Sequence, residues 1–265
     1  MTERIRVTIQ NGVADVRLVR AEKMNALDDA MFSALINTGE QLKRESGVRA
    51  VVLSGEGRGF CAGLDTASFA QMAGSGARES LLGTARTPGG ANRPQQAVMV
   101  WREVPVPVIA AVHGVAFGGG FQLALAADLR FVAPDARLAV MEIKWGLVPD
   151  MAGIVLLRGL VRDDVFRDLT YSGRIVDGFE AQALGLATRV SSNPLDDALA
   201  YAADIAGKSP DAIRAAKRLL NLPPNTGVAD TLLAESEEQA ALIGSANQVE
   251  AIMSNLERRQ PRFKD

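Results

Sequence analysis

The chain has 265 residues, 48% of them hydrophobic, and a net charge of −2, enough for one large core and no electrostatic case for nucleic acid. Its single cysteine, Cys61, excludes an intrachain disulfide, and its single histidine, His113, excludes any site that needs two. No apolar run approaches the ~20 residues that span a bilayer, and Met1 to Ile5 lack the apolar stretch of a signal peptide, so the expectation is a soluble cytoplasmic protein with no membrane partner.

The chain opens on alternating apolar residues, Ile5, Val7 and Ile9, then Val13, Val16 and Leu18, with the hairpin signal Asn11-Gly12 between them. A helix is predicted from Asp28 or Asp29, with Met31, Leu35 and Leu42 on one face. Ala50 to Leu53 and Val108 to Val112 are continuous apolar runs, as strands covered on both faces require. Strands alternating with helical stretches give an α/β class. Residues 71 to 96 are rich in Gly, Ser, Pro, Gln and Arg and read as a mobile surface segment that could cover a site. Beyond residue 194 the pattern is helical: 195 to 208, 211 to 220, and from Val228 onward. No internal repeat of fixed period is visible.

The most informative stretch is Val112 to Leu123, where an apolar strand meets Gly118-Gly119-Gly120 and a helix begins at once. Glycines let a backbone approach a ligand closely, and the free N–H groups of a helix start carry partial positive charge. Such a turn can hold an anion, or an oxygen about to become one. A second glycine-bearing loop, Ser54 to Asp65, follows the strand at residues 50 to 53. Its Gly55-x-Gly57-x-Gly59 spacing fails the dinucleotide template because Phe60 takes the third glycine's place.

Taken together, these loops resemble the crotonase, or enoyl-CoA hydratase/isomerase, superfamily over nearly the whole chain. Lys23 to Leu27 looks like the family's early CoA-binding segment. Phe60 to Asp65 looks like its first oxyanion loop, and His113 to Gly120 like its second. Met141-Glu142-Ile143 through Pro149 looks like its catalytic-glutamate loop, and Phe263-Lys264-Asp265 like its common ending. The resemblance implies a ββα spiral core over residues 1–193 and a C-terminal helical trimerisation region over 194–265, assembled as a homotrimer or a dimer of trimers. It implies acyl-CoA thioester substrates, CoA arriving as part of the substrate, and neither a separate cofactor nor a metal. It places an oxyanion hole on the backbone N–H groups of Leu64 and Gly119, and CoA contacts at Lys23, Met24, Ala26, Ala62, Asp65, Phe263 and Lys264, the last two across a subunit boundary.

Hydratases of the family carry two glutamates. The second is present here as Glu142, but Gln122 stands where the first belongs. An amide can hydrogen-bond a water yet cannot act as a general base near neutral pH. Double-bond isomerisation needs one proton shuttle, and the family's Δ3,Δ2-enoyl-CoA isomerases retain only the glutamate aligned with Glu142. Asp150, eight positions further on, matches an aspartate of the dienoyl-CoA isomerases, which also carry an acid at the Gln122 position. The expectation is an enoyl-CoA isomerase with Glu142 as base and Asp150 as second acid/base or polariser. The alternatives are an enoyl-CoA hydratase, with Gln122 holding the water, and an acyl-CoA-binding protein without turnover. His113 reads as structural, Cys61 as a small buried residue, and neither supports a serine or cysteine hydrolase. Phe69, Met72, Leu81, Leu82, Met99 and Trp145 are candidates to line the acyl pocket.

Overall fold

The structure, a computed structural model, describes residues 3–68 and 82–265. Strands β1 (Ile5–Gln10) and β2 (Val13–Leu18) form the expected hairpin, with Gln10 opposite Val13 across Asn11-Gly12. Helix α1 (Asp29–Leu42) starts at Asp28, whose side chain accepts the Met31 N–H at 2.8 Å and buries Met31, Leu35 and Leu42 behind it. Then come β3 (Ala50–Gly55), α2 (Arg93–Glu103), β4 (Val108–Val112), β5 (Val115–Phe117), α3 (Gly119–Leu125), β6 (Leu129–Val132) and β7 (Arg137–Ala139). A 3₁₀ turn, Glu142–Trp145, precedes α4 (Gly153–Leu157), α5 (Asp163–Ser172), α6 (Gly178–Ala183) and β8 (Arg189–Val190). Helices α7 (Pro194–Ala206), α8 (Pro210–Leu220), α9 (Val228–Leu242) and α10 (Ala246–Leu256) follow.

The main sheet has the order β1-β2-β3-β4-β6-β8, parallel from β2 onward. Every residue of β3 and β4 is buried, which is why both read as unbroken apolar runs. Each of β3, β4 and β6 leads into a second short run in a smaller parallel layer: residues 60–62 after β3, β5 after β4, and β7 after β6. These are the turns of a ββα spiral. They start at residues 50, 108 and 129, so unequal insertions hide the repeat from any search for a fixed period.

One face of the sheet packs on α1 and α2 in the larger core, around the fully buried Trp101. The other face is covered by α7, whose Ala198, Ala202 and Ala206 meet Val13, Ala50, Val52, Ile109, Ala111 and Phe131. The packing therefore runs without a break across residue 194.

The expectation of an irregular segment up to residue 96 is corrected at its end. Residues 93–96 are the first turn of α2, held by a capping box: Asn92 accepts the Gln95 N–H at 3.0 Å and Gln95 accepts the Asn92 N–H at 2.9 Å. Asn92-Arg93-Pro94-Gln95 carried that signal, with Pro94 in the first turn. Phe69, Met72, Leu81 and the rest of residues 71–81 of the expected cover lie outside the described residues. No described helix is long and apolar enough to cross a membrane.

Candidate active site

Four stretches of backbone end side by side. Cys61 donates its N–H to Val115 O at 3.0 Å, and Phe117 returns one to Cys61 O at 3.1 Å. On the other edge of β5, Phe117 lies opposite Ala139 of β7. The far side of the 60–65 loop pairs with residues 24–27, through Ala62 N–H to Met24 O at 2.9 Å and Leu27 N–H to Gly63 O at 2.8 Å. This ladder brings together residues separated by more than a hundred positions. Its ends border a cavity of about 610 Å³, lined by Leu64, Gly118, Gly119, Glu142, Asp150 and Met151 among others.

Glycine is required where the loops touch. Gly63 has φ +86°, and a Cβ there would lie 2.5 Å from Phe117 O. Gly118, at φ +50°, caps α3, and a Cβ there would stand 3.3 Å from Glu142 Oε1. Gly119 is the first residue of α3, so its N–H has no acceptor within the helix, and Leu64 N–H makes no backbone hydrogen bond among the described residues. Two backbone donors thus border the cavity.

Glu142 follows β7 at the start of the 3₁₀ turn and is 9% exposed. Its Oε1 accepts a hydrogen bond from Gln122 Nε2 at 2.6 Å, while its Oε2 is buried without a partner among the described residues. Burial pushes the Glu142 carboxyl above the usual carboxylate range, the Asp150 charge adds to this, and its own backbone amide and the Gln122 amide pull it back. Asp150 sits at the exposed mouth of the cavity, where crowding by the protein also raises its carboxyl. Gln122 is 2% exposed. Its Oε1 accepts two backbone N–H groups, from Met151 at 2.9 Å and Gly153 at 2.8 Å.

The remaining candidates divide. Ala62 lines the cavity, and Met24 and Ala26 belong to the paired segment beside it. Lys23 is exposed next to them. Asp65 is buried away from the cavity lining, paired with Arg20 at 2.6 Å and capping the Ala67 N–H at 2.9 Å. Both interactions hold its carboxyl below the usual range. Phe263 and Lys264 are anchored elsewhere on the same chain: Phe263 O accepts from Arg49 at 3.1 Å and Lys264 N–H donates to Asn247 at 2.9 Å. Of the acyl-pocket candidates, Leu82 and Trp145 line the cavity, whereas Met99 packs against the core.

His113 Nε2 donates a hydrogen bond to Gly57 O at 3.0 Å, and Cys61 Sγ donates to Asn25 O at 3.1 Å with its thiol pushed up to about 12 by burial. Neither residue lines the cavity. Sequence reasoning passed over Asn25, which lies fully buried in the left-handed region at φ +56°. Its amide donates to the carbonyls of Glu56, Gly59 and Phe60 at 3.0, 2.9 and 3.1 Å and so shapes the first loop. The tolerance of Asn for that backbone conformation was the available sign. Lys144, Leu147, Val148 and Met151 also line the cavity without having been singled out. Among the described residues no cluster of His, Cys, Asp and Glu could hold a metal ion.

The family model for enoyl-CoA hydratase/isomerase matches residues 8–265. A Thermus thermophilus protein, provisionally named an enoyl-CoA hydratase, is 35% identical over 263 residues, covering 97% of this chain and 100% of that one. The mouse mitochondrial Δ(3,5)-Δ(2,4)-dienoyl-CoA isomerase is 30% identical over 272 residues, covering 97% of this chain and 80% of that one. The crystal structure of an enoyl-CoA hydratase from Bacillus anthracis superimposes with a TM-score of 0.90 at 28% identity over 99% of both chains. With its spiral of ββα turns and its two glycine loops bordering one cavity, the chain belongs to the enoyl-CoA hydratase/isomerase, or crotonase, family.

Proposed function

We propose that this chain moves the double bond of an enoyl-CoA thioester, with Glu142 as the proton shuttle. The observation that carries the reading is the state of Gln122. It cannot ionise as a second base, and both lone pairs of its carbonyl are taken by Met151 and Gly153. No acceptor remains on it to receive a proton from an attacking water. The cavity is left with one buried carboxylate beside two backbone donors.

In the proposed reaction the thioester oxygen of a 3-enoyl-CoA rests against the N–H groups of Leu64 and Gly119. The Glu142 carboxylate takes a proton from C2, and the electron pair of that C–H bond moves into a dienolate whose charge lies on the thioester oxygen. The N–H groups stabilise that charge, each worth about 2.7–4 kcal/mol in comparable sites. Glu142 then returns the proton to C4, and the double bond settles between C2 and C3. Asp150 serves as a polariser of Glu142 at the mouth. The CoA moiety is proposed to run past Lys23, Met24, Ala26 and Ala62, with Phe263 and Lys264 supplied by a neighbouring subunit of a trimer. Asp65, committed to Arg20, supports its loop instead. No cofactor or metal enters this scheme.

Hydration is the second reading, favoured by the Thermus thermophilus and Bacillus anthracis relatives named as hydratases. A panel of 3-enoyl-CoA and trans-2-enoyl-CoA substrates, read for both reactions, separates them. Migration faster than hydration by about tenfold or more is expected, a difference of about 1.4 kcal/mol in barrier; the reverse order overturns the reading, and tight acyl-CoA binding with no product across the panel favours a binding protein.

A further inference from the structure

We propose that Gln122 is a positioning residue: by donating to Glu142 Oε1 it fixes the orientation of the carboxylate and favours its charged form. This rests on the reading of Glu142 as the shuttle and adds what holds its carboxylate in place.

The orientation of the Gln122 amide is not free. Met151 and Gly153 present backbone N–H groups, which can only donate, so the end that faces them at 2.9 and 2.8 Å is the carbonyl. The NH₂ end is therefore turned to Glu142 Oε1 at 2.6 Å. A proton on Oε1 would meet that donor head-on, so the contact favours the charged carboxylate; Oε2 is enclosed, with no hydrogen-bond partner among the described residues. The bridge is closed in by two glycines: a Cβ at Gly153 would lie 2.7 Å from Gln122 Oε1, and one at Gly118 would lie 3.3 Å from Glu142 Oε1. Both side chains are thus confined, at 2% and 9% exposure. Gln122 also stands one turn into α3, whose first N–H belongs to Gly119, and its carbonyl pins the backbone just after Asp150. One amide ties together the oxyanion helix, the base and the second acid.

The charged groups around Glu142 are few. Asp150 and Lys144 line the same cavity. Helix α5, which packs against the Glu142–Trp145 turn, carries Asp163, Asp164, Arg167 and Asp168. Those acids are paired at the surface with Arg167, Arg162 and Arg174. Gln122 is the one neutral donor on the Glu142 carboxylate among the described side chains.

The test compares the wild type with Gln122→Leu, which removes donor and acceptor, and Gln122→Glu, which keeps an acceptor for Met151 and Gly153 but loses the donor. Isotope-edited infrared spectra, with Glu142→Gln as the blank, follow the Glu142 carboxylate directly, and kcat and KM for double-bond migration are recorded against pH. In both variants the Glu142 titration and the matching limb of kcat move to higher pH. The kcat falls about tenfold or more and KM stays within about threefold. If Gln122→Leu does not fold, Gln122→Glu carries the comparison alone. An unchanged Glu142 titration with an unchanged pH limb overturns the assignment. Full migration activity in Glu142→Gln overturns instead the shuttle reading on which it rests.

Discussion

Two walls face the same cavity and are built by different means. The wall of residues 24–27, 60–65 and 115–120 is made of backbone: strand-like pairs hold it, glycines let its layers touch, and Asn25 pins its outer turn. The wall of residues 142–151 is made of side chains. Its acid is held through a single amide, and Ile143, Trp145, Leu147 and Val148 lie exposed along it. Backbone donors cannot change rotamer or protonation state, so the first wall offers a fixed electrostatic target. The second can be retuned by single substitutions, at Glu142 itself or at the Gln122 amide that holds it.

Breaking the second wall at its acid has the largest effect. Glu142→Gln is expected to lower kcat for migration by about 10²–10⁴-fold, measured with saturating substrate. Its stability moves the other way. The Glu142 carboxyl lies above its unfolded value because it is buried, so its contribution is present at low pH and lost as pH rises through the folded value. Glu142→Gln therefore melts at or above the wild type near pH 8, and the difference shrinks on acidification; a lower melting temperature at pH 8 would show that the carboxylate is structurally needed.

The first wall is tested by Gly63→Ala. The added methyl meets Phe117 O at 2.5 Å from a backbone at φ +86°, so the two loops must part. Loss of one aligned donor predicts a fall in kcat of about 10²–10³-fold with Glu142 untouched. Equal activity would mean that the loops need no contact. Asn25→Ala strips the donor from three carbonyls and is expected to cost about 1–3 kcal/mol in denaturant unfolding. Because Asn25 does not itself line the cavity, kcat at low temperature should fall far less than stability. The smallest effect belongs to Val148→Ala: at 71% exposure it should change stability by less than about 0.5 kcal/mol and show itself only in KM across acyl-chain lengths.

The contrast also explains what the sequence revealed. The backbone wall was legible because glycine runs after apolar strands have few other uses, and Gly118 to Gly120 and Phe60 to Asp65 stood out at once. Glu142 was legible through the loop around it. What could not be read was pairing at a distance. Nothing in Arg20 or Asp65 announces their ion pair, 45 positions apart, and a family pattern that reads Asp65 as a CoA contact is blind to the side chain that neutralises it. The Gln122 substitution was visible, but not that Met151 and Gly153 fill its acceptor sites, since that depends on how α4 meets α3. The capping box at Asn92 was legible and was overridden by the polar composition of the residues before it.

The central claim is that one carboxylate, held by an amide, moves a proton without adding water. The most direct measurement is to incubate trans-2-enoyl-CoA and its 3-enoyl isomer with the enzyme in heavy-oxygen water and follow both carbons. Interconversion of the two alkenes with negligible heavy oxygen at C3 is expected; efficient incorporation at C3, at a rate matching or exceeding migration, would overturn the assignment of Glu142 as a proton shuttle alone.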